Sequence, residues 1–66
     1  MNYWEMPCAA NGLFSYRYRG PYGFIMIGAI NTRDALKEAN RSLSYGRAII
    51  TNLEIWNETE RKYVKC

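Results

Sequence analysis

The block Tyr16-Arg17-Tyr18-Arg19-Gly20-Pro21-Tyr22-Gly23-Phe24-Ile25-Met26-Ile27 constrains this chain most, with the helix-start signal Asn31-Thr32-Arg33-Asp34 close behind it. Phe14 to Arg19 alternates bulky and polar residues, the two-residue period of a strand. Gly20-Pro21 turns the chain, and Gly23 to Ala29 continues as a second, more continuously apolar strand. Pairing around that turn sets Tyr18 opposite Gly23 and Arg17 opposite Phe24. Tyr16, Tyr18, Ile25 and Ile27 then share one face; Arg17, Arg19, Phe24 and Met26 share the other. The isoleucines mark the first face as the core side. A slip of one residue would exchange the two.

The helix that follows has Asn31 or Thr32 as its N-cap and Asp34 in the first turn, where the helix dipole favours a carboxylate. Ala35, Leu36, Ala39 and Leu43 give a narrow apolar stripe, and its alanines allow a close approach to a sheet. Gly46 is the expected stop, after a weakening run through Ser42, Ser44 and Tyr45. Ile49 and Ile50 open a third extended segment, continued by Leu53 and Ile55. Asn57-Glu58-Thr59-Glu60 turns the chain, and Arg61 to Cys66 returns as a fourth strand. The simplest register puts Trp56 opposite Arg61, Glu54 opposite Tyr63 and Leu53 opposite Val64. Leu53, Ile55 and Val64 go to the core, while Trp56 and Tyr63 lie on the wetter face, where Trp56 can stack with Arg61.

The reading is therefore α+β: one domain over residues 13–66, ordered β-β-α-β-β, with two hairpins in one sheet and one helix packed on one face. Residues 1–12 form an irregular N-terminal arm, broken by Pro7 and Asn11-Gly12, that lays Trp4 or Met6 on the domain or on a partner. A chain of 66 residues builds one thin core and buries only about 60% of its unfolded surface. Ten aromatic residues are more than such a core hides, so some belong to the surface, where they mark binding faces. The sheet face without a helix is expected to be bare and to carry them.

Histidine is absent, which removes Ser-His, Cys-His and His-metal constellations. Cys8 and Cys66, the only cysteines, lack zinc-site spacing and read as free thiols, with a bridge between the chain ends as the alternative. Glu54, Glu58 and Glu60 read as solvated. No catalytic residue, metal or cofactor is assigned, and the chain is expected not to be an enzyme. The apolar run Phe24 to Ile30 is far short of the ~20 residues a membrane helix needs. Residues 1–12 carry Glu5 and no basic segment, unlike a secretory signal. Nine Lys or Arg against six Asp or Glu give a net charge of +3, too modest and mixed to identify a nucleic-acid binder.

Arg19-Gly20-Pro21-Tyr22-Gly23-Phe24-Ile25-Met26-Ile27 resembles the octapeptide of RNA-recognition-motif domains, with Tyr22 and Phe24 at the stacking positions and Arg19 at the basic one. It departs by inserting Pro21 and by ending on Ile27 instead of an aromatic residue, and the chain lacks that family's second helix. The longer pattern from Tyr16 to Ala29, with Asp34 to Ser42 and Asn52 to Trp56, resembles small uncharacterised accessory proteins of tailed bacteriophages and enterobacterial prophages. That resemblance implies a bacterial host cytoplasm and a host protein as partner; it carries no residue roles. The expected binding face comprises Arg17, Arg19, Tyr22, Phe24, Trp56, Arg61 and Tyr63, since aromatic and arginine side chains anchor most protein interfaces. The alternatives are single-stranded nucleic acid on the same face, with bases stacked on its rings, and a homodimer that hides it.

Overall fold

The computed structural model describes residues 2–44 and 46–66, and the alternating segment forms β1 (Phe14–Gly20). Then follow β2 (Gly23–Ala29), α1 (Thr32–Ser42), β3 (Leu53–Asn57) and β4 (Lys62–Lys65). The order is β-β-α-β-β. All four strands join one antiparallel sheet in the order β2-β1-β3-β4, with the helix packed on it.

Both hairpins close in a register two residues away from the one the sequence suggests. In the first, Gly20 pairs with Gly23 and Arg19 with Phe24, so Tyr18 faces Ile25 and Arg17 faces Met26. Only Pro21 and Tyr22 remain in the loop, because Gly23 adopts φ 130°, a backbone conformation that a side chain would oppose. In the second, Asn57 joins the ladder opposite Lys62, which brings Trp56 opposite Tyr63 and Ile55 opposite Val64. The Asn57 side chain accepts from the Glu60 amide at 2.9 Å, and Arg61 turns the chain at φ 53°. A shift of two leaves every side chain on its expected face. The partners changed; the faces did not.

The core lies between sheet and helix. Tyr16, Tyr18, Ile27, Ala29 and Leu53 are buried from the sheet and Ala35 and Ala39 from the helix, with Ile25, Leu36, Leu43, Ala48 and Ile55 packed around them. Asn31 caps the helix, its side chain accepting from the Asp34 amide at 2.8 Å, an interaction worth about 1 kcal/mol. The helix ends at Ser42, earlier than Gly46; Tyr45 of the expected weakening run lies outside the described residues. Ile49 and Ile50 are not strand residues. A 3-10 turn over Ile50–Asn52 precedes β3 and leaves both half exposed, while the Tyr18 hydroxyl accepts from the Ile49 amide at 2.9 Å and ties this loop to the core.

The second sheet face is not bare. The N-terminal arm, with a 3-10 turn at Tyr3–Glu5, crosses it and is held by side chains the sheet presents. An Arg17 guanidinium N–H donates to the Trp4 carbonyl at 2.6 Å, and the Tyr63 hydroxyl donates to the Met6 carbonyl at 2.8 Å. The amides of Cys8 and Ala9 both donate to the hydroxyl oxygen of buried Ser15, at 2.9 and 2.8 Å. Polar groups at the centre of a sheet need partners, and an irregular segment with unpaired backbone supplies them. The arm is thus a second, thinner layer.

Candidate functional site

Alternation along β1 puts Arg17 and Arg19 on the face opposite the helix, and antiparallel pairing places Phe24 of β2 and Glu54 of β3 beside them. Trp56 and Tyr63, directly opposite on β3 and β4, extend the row. The Arg17 guanidinium carbon stands 4.2 Å from the Phe24 ring centre and 4.7 Å from that of Tyr63, sandwiched between them. Arg19 lies over Phe24 at 5.3 Å, and Tyr63 meets Trp56 edge-on at 5.3 Å. Five of the seven expected residues therefore form one continuous row.

Its middle is not available to a partner. Arg17 is only 16% exposed along its side chain and pairs with Glu54, itself 15% exposed, while Tyr63 is 7% exposed beneath the arm. Glu54 is accordingly a partly buried counter-ion, a correction to its reading as solvated. An arginine threaded between tyrosines on a core strand needs a carboxylate, and Glu54 was the candidate on the strand that pairs with it. Arg61 leaves the row: it sits on the turn and pairs with exposed Glu58 at 3.2 Å, and Trp56 donates its indole N–H to the same Glu58 at 2.7 Å instead of stacking under Arg61.

What remains open is the hairpin end. Tyr22 is 98% exposed at the tip, Arg19 is exposed on Phe24, and Trp4 stacks against Phe24 with centroids 6.4 Å apart. Tyr3, 61% exposed, packs edge-on against Trp4 at 5.1 Å. Tyr3 joins the patch without having been singled out in the sequence. Beside Tyr22, a groove between the hairpin tip and the end of α1 is lined by Pro21, Ile25 and Leu43.

Burial pushes the Tyr63 phenol well above its ordinary value, with Cys8 adding and the Arg17 charge opposing. Because the folded pKa is the higher one, folding favours the protonated phenol. That stabilisation is complete below the ordinary phenol value of about 10 and is lost as pH rises above it. We expect the melting temperature to fall more steeply between pH 9 and 11 in the parent than in Tyr63→Phe, which lacks the ionising hydroxyl. Parallel curves for the two proteins would contradict this. The Cys66 thiol is likewise raised, chiefly by burial and further by Glu54, against a hydrogen bond with Thr32. Both thiols are free.

Among the described residues no group of three or more Cys, Asp or Glu converges as a metal site, and no helix is long and apolar enough to cross a membrane. No family model, curated protein or solved structure matches the chain.

Proposed function

We propose that this protein acts by binding another protein, without catalysis, through the patch of Arg19, Tyr22 and Phe24 completed by Tyr3 and Trp4 of the arm. The observation that carries this reading is Tyr22: a large aromatic side chain, 98% exposed, on a tight two-residue loop beside an arginine stacked on a ring. A water-exposed aromatic residue on a rigid support loses little entropy when a partner covers it, which is why tyrosine and arginine dominate interface hot spots. Arg17, Tyr63 and Glu54 hold the patch in place from behind. The setting, a host protein in a bacterial cytoplasm, rests on the sequence resemblance alone.

Single-stranded nucleic acid is the weaker reading, because Arg17 is engaged by Glu54 and the arm, leaving Arg19, among the described residues, as the one unengaged cation over the Phe24 ring. A pull-down from bacterial lysate with the folded protein as bait tests the proposal. Replacing Arg19 and Tyr22 together with alanine should weaken capture of a specific protein about thirtyfold or more, at an unchanged circular dichroism spectrum. Equal capture by both baits would rule out this patch. Tight oligonucleotide binding that falls steeply with salt would favour the second reading.

A further inference from the structure

The two edges of the sheet are protected very differently. β4, at one edge, is four residues long and carries Lys62 and Lys65, the usual safeguards against edge-to-edge pairing. β2, at the other, is seven residues long, Gly-Phe-Ile-Met-Ile-Gly-Ala, with no charge and no proline.

The ladder shows which of its backbone groups face outward. The Cys66 amide donates to the Leu53 carbonyl, so Leu53 points toward β4. Backbone direction alternates along an antiparallel strand, so Glu54 points toward β1 and its partner Arg17 toward β3. Tyr16 and Tyr18 then bond β2, Ile25 and Ile27 bond back, and the N–H and C=O groups of Phe24, Met26 and Gly28 face away from the sheet. The Cys8 thiol donating to the Ile27 carbonyl at 3.5 Å and the Tyr16 carbonyl at 3.9 Å fits both pointing into the β1–β2 gap. Gly28 is exposed.

We infer that this edge pairs with the β2 edge of a second copy of the chain, antiparallel about a two-fold axis at Met26, making one eight-stranded sheet. Only outward-facing residues can bond across it. Centring the axis on Met26 sets Met26 against its own copy and Phe24 against Gly28, whose side-chain position is already lined by Ala9 and half-exposed Leu13 of its own chain.

The helix supplies the argument for a second copy over a foreign strand. One groove joins Gly28 and Ala29 to Asp34, Lys37, Glu38 and Arg41; the groove at the hairpin tip joins Gly23 and Phe24 to Ser42 and Leu43. The helix therefore runs back along β2, and the middle of its charged stripe stands near Met26. About that same axis two antiparallel helices would set Asp34 against the partner's Arg41 and Lys37 against the partner's Glu38. The stripe is complementary to itself. Within one chain Arg41 holds Glu38 at 3.1 Å, an exposed pair that leaves its charge open to a second carboxylate.

Sedimentation of the intact protein across micromolar to millimolar concentrations should show twice the monomer mass. The amides of Phe24, Met26 and Gly28 should gain hydrogen-exchange protection as concentration rises. Arg41→Glu should weaken dimerisation at least tenfold by setting like charges opposite, and Asp34→Arg with Arg41→Glu should restore it. Met26→Lys should give a monomer, and if that variant misfolds, the exposed charge pair still decides. A monomer throughout the range would overturn the inference, as would a dimer indifferent to Arg41→Glu or protection confined to β4.

Discussion

Replacing Arg17 with alanine is expected to destabilise the fold by about 3 kcal/mol, the lower end of the scale for removing one member of a buried ion pair, since this pair keeps a little exposure. The change leaves Glu54, 15% exposed, without its counter-ion and strips the Trp4 carbonyl of its donor. It also empties the space between Phe24 and Tyr63. A 66-residue core rarely supplies more than roughly 3–5 kcal/mol in all, so the variant should be largely unfolded near room temperature. Urea unfolding followed by circular dichroism measures this. The double substitution Arg17→Met with Glu54→Leu should recover the part of the loss that comes from the unpaired carboxylate and the emptied space, because two apolar side chains of similar volume leave no uncompensated charge, while the Trp4 carbonyl stays without its donor. A single-variant loss below about 1 kcal/mol would mean that Arg17 is solvated and the arm is not anchored through it.

Leu53→Ala is expected to cost about 3 kcal/mol as well, for a different reason. Leu53 is fully buried on a central strand, among the core tyrosines and the alanines of α1, and its loss leaves a cavity that short alanine side chains cannot collapse into. Ile49→Ala, at a residue 54% exposed, should cost less than about 0.5 kcal/mol. The comparison separates the structure from the sequence reading, in which Ile49 opened the third strand. Equal losses for the two would mean that the segment before β3 is packed as a strand after all.

Much of the architecture could be read along the chain. Alternation in Phe14–Arg19, the apolar run of β2, the Asn31 cap and the Ala35/Ala39 stripe each identify an element, because each is a local relation among residues two to four apart. Parity also assigned Tyr16, Tyr18 and Ile27 to the core and Arg17, Phe24, Trp56 and Tyr63 to the opposite face. Register was less legible. It depends on which turn residue takes the left-handed conformation, and Gly23 and Arg61 lie two steps and one step beyond the residues that the sequence marks as turns. The site was legible as a set of residues and not as a surface: Arg17 and Tyr63 belong to its interior, Arg61 stands apart, and Tyr3 and Trp4 join from the arm.

Element order, strand faces and the surplus of aromatic residues follow from the amino-acid sequence alone, since short-range periodicity and turn chemistry act within a few residues of each position. Tertiary structure decided the strand order, the coverage of the second face and the pairing of Arg17 with Glu54. Those depend on residues 37 positions apart meeting across β1 and β3, and on an arm whose irregular backbone finds donors only once the sheet has assembled them.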